Sequence, residues 1–268
     1  MKVQGRDCTL TVAKDNEYYP LPYSEETVRQ TSKGYSLPGS IGIRNRDKRI
    51  ITGKSIEGCF VTRLEYQNVL ALFLLLFNCN EAFDLLADRV CEKIIYKNVA
   101  VKSFELRADN SNPFYFRLDV KDTDDSYVDD WPVGMPALLW KEDCGGFDRL
   151  NHRTYYYNGH NVIADLKTLP LVYRFEINGS FTEKTKYTIT LYFPLSTEHF
   201  VTLNKIEKLS IVIDLKDGIS LDLYNLKADG SLTDINCADT VLCSQKFICE
   251  SHIVLTIRNQ QENKQVVL

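Results

Sequence analysis

No apolar run in this 268-residue chain is long enough to cross a bilayer as a helix. The most apolar stretch, Val69 to Phe77, is about half of the roughly 20 residues that a span requires. The opening Met1-Lys2-Val3-Gln4-Gly5-Arg6-Asp7 lacks the apolar segment of a secretory signal. These absences predict synthesis and retention in a reducing cytosol. There the eight cysteines are free thiols that behave as small buried hydrophobes. A basic excess is missing too: the net charge is −4, whereas proteins that grip nucleic acid phosphates carry a basic stripe.

The patterns of common catalytic and metal sites are equally scarce. The histidines are His152, His160, His199 and His252, and none has a partner one helical turn away as a metal pair requires. A Gly-x-Ser-x-Gly elbow is absent. Gly53-Lys54-Ser55 ends like a phosphate-binding loop, but Lys48 occupies the position of its first glycine, so the backbone cradle cannot form. Asp122, Asp124 and Asp125 miss the calcium-loop spacing and its central glycine. No fixed-period repeat is visible.

What the chain does contain is alternation. Hydrophobic residues make up 44% and charged residues 25%, the composition of a packed globular chain. Cys8, Leu10 and Val12 lie on one face of a first strand. Residues 13–49, with Pro20, Pro22, Pro38, Gly34, Gly39, Gly42 and the basic Arg44, Arg46, Lys48 and Arg49, predict a long extended arm. Residues 50–63 return to strand. Leu64 to Phe77 predicts a buried helix, apolar nearly all round. Asn80 predicts an N-cap for a second helix, with Phe83, Leu86, Val90 and Ile94 on its stripe.

Beyond Tyr96 the period becomes two. Residues Val99 to Ala108 and Phe114 to Val120 predict a hairpin closed by Asp109-Asn110-Ser111-Asn112-Pro113. Residues 122–153 are acidic and then rich in Pro and Gly, which predicts a linker or long surface loop. The remainder, 154–268, is a succession of strands, with turns at Asn158-Gly159, Asp217-Gly218 and Asp229-Gly230. The expected fold is α+β but mainly β: an antiparallel sandwich or barrel with one or two buried helices, in one body or two β-rich domains.

Three side-chain groups are candidates for chemistry. Cys237, Cys243, Cys249 and His252 form the nearest approach to a metal cluster, at spacings wider than zinc sites favour; buried thiols are the simpler reading. Cys144, beside Gly145-Gly146 and near His152, is a candidate nucleophile with a base. Tyr155, Tyr156, Tyr157, Trp131 and Trp140 are candidates for an aromatic platform that binds a sugar or peptide, although strand packing or a subunit interface accounts for them more simply. The sequon Asn178-Gly179-Ser180 carries little weight without a secretion signal.

The opening Val3-Gln4-Gly5-Arg6-Asp7-Cys8-Thr9-Leu10-Thr11-Val12, and the later Ile51-Thr52-Gly53-Lys54-Ser55-Ile56-Glu57-Gly58, resemble the start and second strand of tail tube proteins of long-tailed bacteriophages. The resemblance covers residues 1–120. It implies a tube-like β-barrel domain over 1–121 with a helical segment at 64–96 and the 13–49 arm bridging to a neighbouring ring, followed by the 122–153 linker and a second β-rich domain at 154–268. It further implies a virion protein of the tail, assembled in the host cytoplasm into stacked homo-oligomeric rings that contact neighbouring tail proteins and pass DNA without binding it. Such a subunit has no cofactor, no metal and no catalysis. A distal-tail or hub protein is a related reading. A monomeric β-sandwich binding module using the aromatic residues of 127–160, and a cysteine- or metal-dependent enzyme, are readings of other classes.

Overall fold

The structure is a computed structural model that describes residues 8–14, 17–21, 23–37, 48–65, 68, 72–73, 75–76, 81–89, 92–131, 154–165, 167–169, 171–181, 185–194, 206–214, 218–235, 241–249, 253–259 and 262–267. In chain order its strands are β1 (Thr9–Lys14), β2 (Glu17–Leu21), β3 (Glu25–Glu26), β4 (Arg29–Leu37), β5 (Lys48–Arg63), β6 (Phe83–Asp88), β7 (Lys93–Asp109), β8 (Tyr115–Lys121) and β9 (Tyr127–Asp130). There follow β10 (Val162–Ala164), β11 (Lys167–Thr168), β12 (Arg174–Ser180), β13 (Lys186–Pro194), β14 (Lys208–Asp214), β15 (Ile219–Tyr224), β16 (Leu226–Ile235), β17 (Val241–Cys249), β18 (Ile253–Asn259) and β19 (Glu262–Val267). The fold is mainly antiparallel β and sandwich-like, and its sheets do not close into a barrel. No described helix is long and apolar enough to cross a membrane.

The barrel half of the expectation is therefore corrected. Among the described residues β2 pairs only with β1, and β16 only with β17, so both end their sheet. The chemistry of these strands suits an edge. Pro20 lies within β2, where a missing N–H is tolerated only on an outer strand. In β16 the register shifts between Ala228 and Ser231 around Gly230, whose φ is +80°. A bulge of this kind bends an edge away from further pairing. Asp229-Gly230, expected to be a turn, is this bulge instead.

The chain divides into two compact units, each gathered from three stretches instead of consecutive halves. One comprises Met1–Phe60, Glu81–Ala100 and Asp119–Trp140; the other comprises Val61–Asn80, Val101–Leu118 and Lys141–Leu268. Strands β5, β7 and β8 each contribute residues to both.

In the first unit β1 lies between β2 and β6, and β6 pairs with the start of β7. Phe83, Leu85, Leu86 and Ala87 are all buried, so β6 is covered on both faces. This corrects the second expected helix. A short run such as Phe83-Asp84-Leu85-Leu86-Ala87-Asp88 fits helical and strand patterns alike, and ladders on both sides decide for strand. The extended arm is corrected as well. Residues 17–21, 25–26 and 29–37 form β2, β3 and β4, and Gly34 stands at a register shift of the β4–β5 ladder. The linker is corrected in part: β9 pairs Tyr127–Asp130 with Ile94–Lys97 of β7, while residues 132–153 lie outside the described residues.

In the second unit the late part of β7 pairs with β12, which leads on through β13 to β17 and β16. A six-stranded sheet runs in the order β11-β10-β14-β15-β18-β19. The expected hairpin pairing holds for β14 and β15, with Gly218 (φ +61°) just before β15 and Asp217 outside the described residues, and Ser111 (φ +66°) lies in the turn before β8. Of the helix expected over 64–77, Leu72, Phe73, Leu75 and Leu76 are helical and buried, whereas Leu64 and Glu65 are extended. Asn68 organises the change. Its side chain accepts from Glu65 N at 2.8 Å and donates to Arg63 O at 2.8 Å.

Aromatic rings fill the core of this unit. Phe104 stacks with Phe116 and Phe181 at 6.0 Å each, and Phe114, Tyr157 and Phe175 meet within 5.9 Å. Pairs of this geometry contribute roughly 0.5–1.5 kcal/mol each beyond burial. Gly179 is the cross-strand partner of Phe104, and a Cβ there would lie 2.1 Å from the Phe104 ring. The ring is held by its neighbours and cannot yield. Gly179→Ala is therefore expected to destabilise the fold by about 1–3 kcal/mol, measured as a lowered denaturant midpoint, and Phe104→Leu in the same chain should recover part of the loss.

Candidate functional site

Of the candidate cysteine cluster the structure describes two members, and it holds them apart. Cys243 and Cys249 are buried on β17, six residues apart on one face. At about 3.3 Å per residue their thiols are roughly 20 Å apart, too far to share an ion. The Cys249 thiol donates to Tyr224 O at 3.1 Å. Cys237 and His252 lie outside the described residues, as do Cys144, His152, His199 and Trp140. Among the described residues no three His, Cys, Asp or Glu side chains gather as metal ligands would. His160 is exposed on the Asn158-Gly159 turn, where its N–H donates to Asn158 Oδ1 at 2.9 Å.

The aromatic platform dissolves in the same way. Strand-like alternation buries Tyr155 and Tyr157 and leaves only Tyr156 outward, 58% exposed. The Tyr157 hydroxyl donates to Val172 O, and burial raises its pKa. Trp131 receives the Lys93 ammonium 5.5 Å above its ring. Gly53-Lys54-Ser55 lies in mid-strand on β5, paired in turn with Lys33, Ser32 and Thr31 of β4, and not in a loop leading to a helix. Asn178 of the sequon sits within β12, laddered on both sides.

The feature that stands out is the β4–β5 hairpin of the first unit, part of which falls in the extended arm expected over 13–49. Its ladder runs from Arg29↔Glu57 to Leu37↔Lys48. Arg29 and Glu57 are opposite charges directly across, and Thr31 Oγ1 meets Ser55 Oγ at 3.0 Å. Cross-strand pairs of these kinds stabilise a ribbon by a few tenths of a kcal/mol to about 1 kcal/mol each.

The base of the hairpin is firmly held. Ile56, Cys59, Phe60 and Val28 are buried. Thr27 exchanges hydrogen bonds with Cys59: Thr27 N donates to Cys59 O at 2.9 Å and Cys59 N donates to Thr27 Oγ1 at 3.1 Å. This crossing needs a glycine at position 58. Gly58 has φ +148°, and a Cβ there would lie 2.5 Å from Val28 Cα.

Arg89, immediately after β6, completes the clamp. It donates to both carboxylate oxygens of Glu26 at 2.9 and 3.0 Å, and to Val28 O at 2.5 Å. Tyr96 also donates to Val28 O, at 2.8 Å. The Glu26 side chain is only 6% exposed and that of Arg89 26%. The hydrogen bond to Glu26 raises the Arg89 pKa further above its already high value, and burial raises that of Tyr96. Tyr23, close by, is pushed up to about 12, first by burial and then by Cys8.

The outer half of the hairpin contrasts with this base. Ser32, Lys33 and Gly34 on β4, and Ile51 and Thr52 on β5, are exposed in succession, so neither face of the ribbon is covered among the described residues. Ile51 is 60% exposed. A two-stranded ribbon alone in water is only marginally stable. The sequence signals for it were the β-branched Ile50, Ile51, Thr52 and Ile56; Gly34, Pro38, Gly39 and Gly42 masked them.

No protein-family model matches the chain, and no curated protein matches it significantly.

Removing the clamp tests its role. Arg89→Met leaves the Glu26 carboxylate buried without its partner. Full burial would make that loss 3–5 kcal/mol, and the partial exposure here reduces it to about 2 kcal/mol. The expected outcome is a thermal midpoint lower by several degrees, with amide exchange at Val28 and Thr27 accelerated ahead of the β12–β13 amides.

Proposed function

We propose that this protein is a non-catalytic structural subunit that assembles with copies of itself, of the kind its resemblance to tail tube proteins implies: a component of a phage tail whose stacked rings enclose a conduit for DNA. The observation that carries this reading is the β4–β5 hairpin, anchored at its base and exposed at Ser32, Lys33, Gly34, Ile51 and Thr52 further out. A binding module or an enzyme gathers polar groups in a concavity. An assembly subunit instead extends an ordered element that has nothing of its own fold to pack against. Contacts between unlike surfaces of identical subunits close into rings or propagate into filaments. Partners are therefore further copies of the chain and neighbouring tail proteins, and the net charge of −4 suits DNA that slides past instead of adhering.

Shortening the hairpin tests the proposal. Lys33 and Gly53 are cross-strand partners, so replacing residues 34–52 by Asn-Gly closes a tight two-residue turn on the retained base. The shortened protein is expected to fold, with an unchanged circular dichroism spectrum, but to remain monomeric by light scattering where the full-length chain forms rings or tubes in negative-stain electron microscopy. A full-length chain that stays monomeric at every concentration, or a shortened one that assembles as readily, would sink the reading.

A further inference from the structure

The tyrosine run of the second unit leaves one ring outward, on a frame that is fixed from three sides. Tyr155 and Tyr157 are buried, and the Tyr157 hydroxyl is anchored on Val172 O, so Tyr156 between them is held at the surface, 58% exposed. It lies directly across from Pro113. Tyr157 N donates to Asn112 O at 2.9 Å and Ser111 N donates to Tyr157 O at 2.8 Å, which ties the run to the turn before β8. Asn110 N donates to Tyr173 O at 2.6 Å, and Val172 N to Gly159 O at 3.1 Å. The turn, the tyrosine run and residues 171–173 are thus one joined end. Gly159 permits the close approach: a Cβ there would lie 2.6 Å from Leu171 Cδ1 and 3.3 Å from Asn110 Oδ1.

The side chains presented at this end share one chemistry. Asn110, Ser111, Asn112, Tyr156, Asn158 and His160 are exposed. None is Lys, Arg, Asp or Glu, in a chain with 25% of such residues. Asp109, which leads into the turn, is paired with Arg174 at 3.5 Å. Among the described residues the Asn110 and Asn112 amides, the Ser111 and Tyr156 hydroxyls and the His160 ring make no hydrogen bond within the fold. Asn158 commits only Oδ1, to His160 N. A nucleic acid or another anion would need cations here, and a protein interface centres on a larger apolar core. An amide donates and accepts at once, as the hydroxyls of a sugar do. A tyrosine ring adds an apolar face.

We infer that this end of the second unit binds a neutral saccharide. The Tyr156 ring stacks on the C–H face of one sugar residue, and the amides of Asn110, Asn112 and Asn158 take its hydroxyls. A sugar chain needs no enclosed cavity for this, because ring and amides act on it from one side. The frame is ordered in advance, so little conformational entropy is lost on binding. Tyr, Asn and Ser on a rigid support are also the side chains with which paratopes hold polar ligands. No ion pair is formed, so binding is insensitive to salt. The site goes beyond the assembly proposed above and does not depend on it.

The probe is an array of neutral oligosaccharides ending in glucose, galactose, mannose or N-acetylglucosamine, with sialylated and sulfated members as the anionic comparison. The full chain is expected to be retained by neutral members, equally at low and high salt. For a sugar that binds, Tyr156→Ala should weaken the affinity at least about tenfold in a calorimetric titration. Tyr156→Phe, which keeps the ring, should retain most of it, and Asn112→Ala should weaken it several-fold. Both residues are exposed, and unchanged circular dichroism confirms folding of each variant. If no neutral sugar is retained, or Tyr156→Ala binds as well as wild type, the inference is wrong. Retention confined to anionic members and abolished by salt overturns it as well. A Tyr156→Ala variant that loses mass in light scattering, with no sugar bound by wild type, would reassign this end to a contact between copies.

Discussion

The ladder on both sides of β7 is the constraint on which most of the described fold depends. Seventeen residues of extended backbone carry N–H and C=O groups that must all find partners once buried. Residues Lys93–Val99 take them from β6, with β9 alongside Ile94–Lys97, and Ser103–Asp109 take them from β12. The strand is not uniform. Asn98 adopts φ +55°, and the β6–β7 register shifts beside it. Its N–H is satisfied by Asp84 and its carbonyl by Thr123 and Ser126, so the irregularity is held by side chains that the ladder cannot supply. A break in β7 would strip partners from β6, β9 and β12 together.

The first unit concentrates order where the hairpin begins and relinquishes it where the hairpin ends. Arg89, Tyr96 and Gly58 bring the 26–28 segment against Cys59, where the Glu26 carboxylate, the Thr27 N–H and hydroxyl and the Val28 carbonyl all have partners. A bidentate guanidinium–carboxylate pair fixes direction as well as distance, which a lysine would not. Four or five residues further out, Ser32, Lys33, Gly34, Ile51 and Thr52 are exposed. The order of the strands is thus set at the base of the hairpin, by the clamp.

The second unit is stabilised differently, by close-packed rings instead of directed polar contacts. Phe104 reaches across the pocket that Gly179 leaves open, and Phe114, Tyr157 and Phe175 interlock next to it. The absence of a β-carbon at one position therefore determines where the largest side chains of three strands can lie.

Strand content, most turns and the alternation of β7, β8, β12, β13, β14 and β15 are determined by the sequence itself, because a period of two and an Asp-Gly or Asn-Gly turn are local properties of the chain. Only the tertiary structure decided that Phe83–Asp88 is a strand: so short a run fits helix and strand patterns alike, and ladders to β1 and β7 chose between them. Only it decided that Asp229-Gly230 is a bulge, that Tyr155 and Tyr157 point inward while Tyr156 points out, and that Cys243 and Cys249 stand far apart. The hairpin was hidden for a further reason. Its glycines and prolines signal irregular backbone locally, whereas the clamp that holds it is built from Glu26, Cys59, Arg89 and Tyr96, residues whose proximity no local pattern encodes.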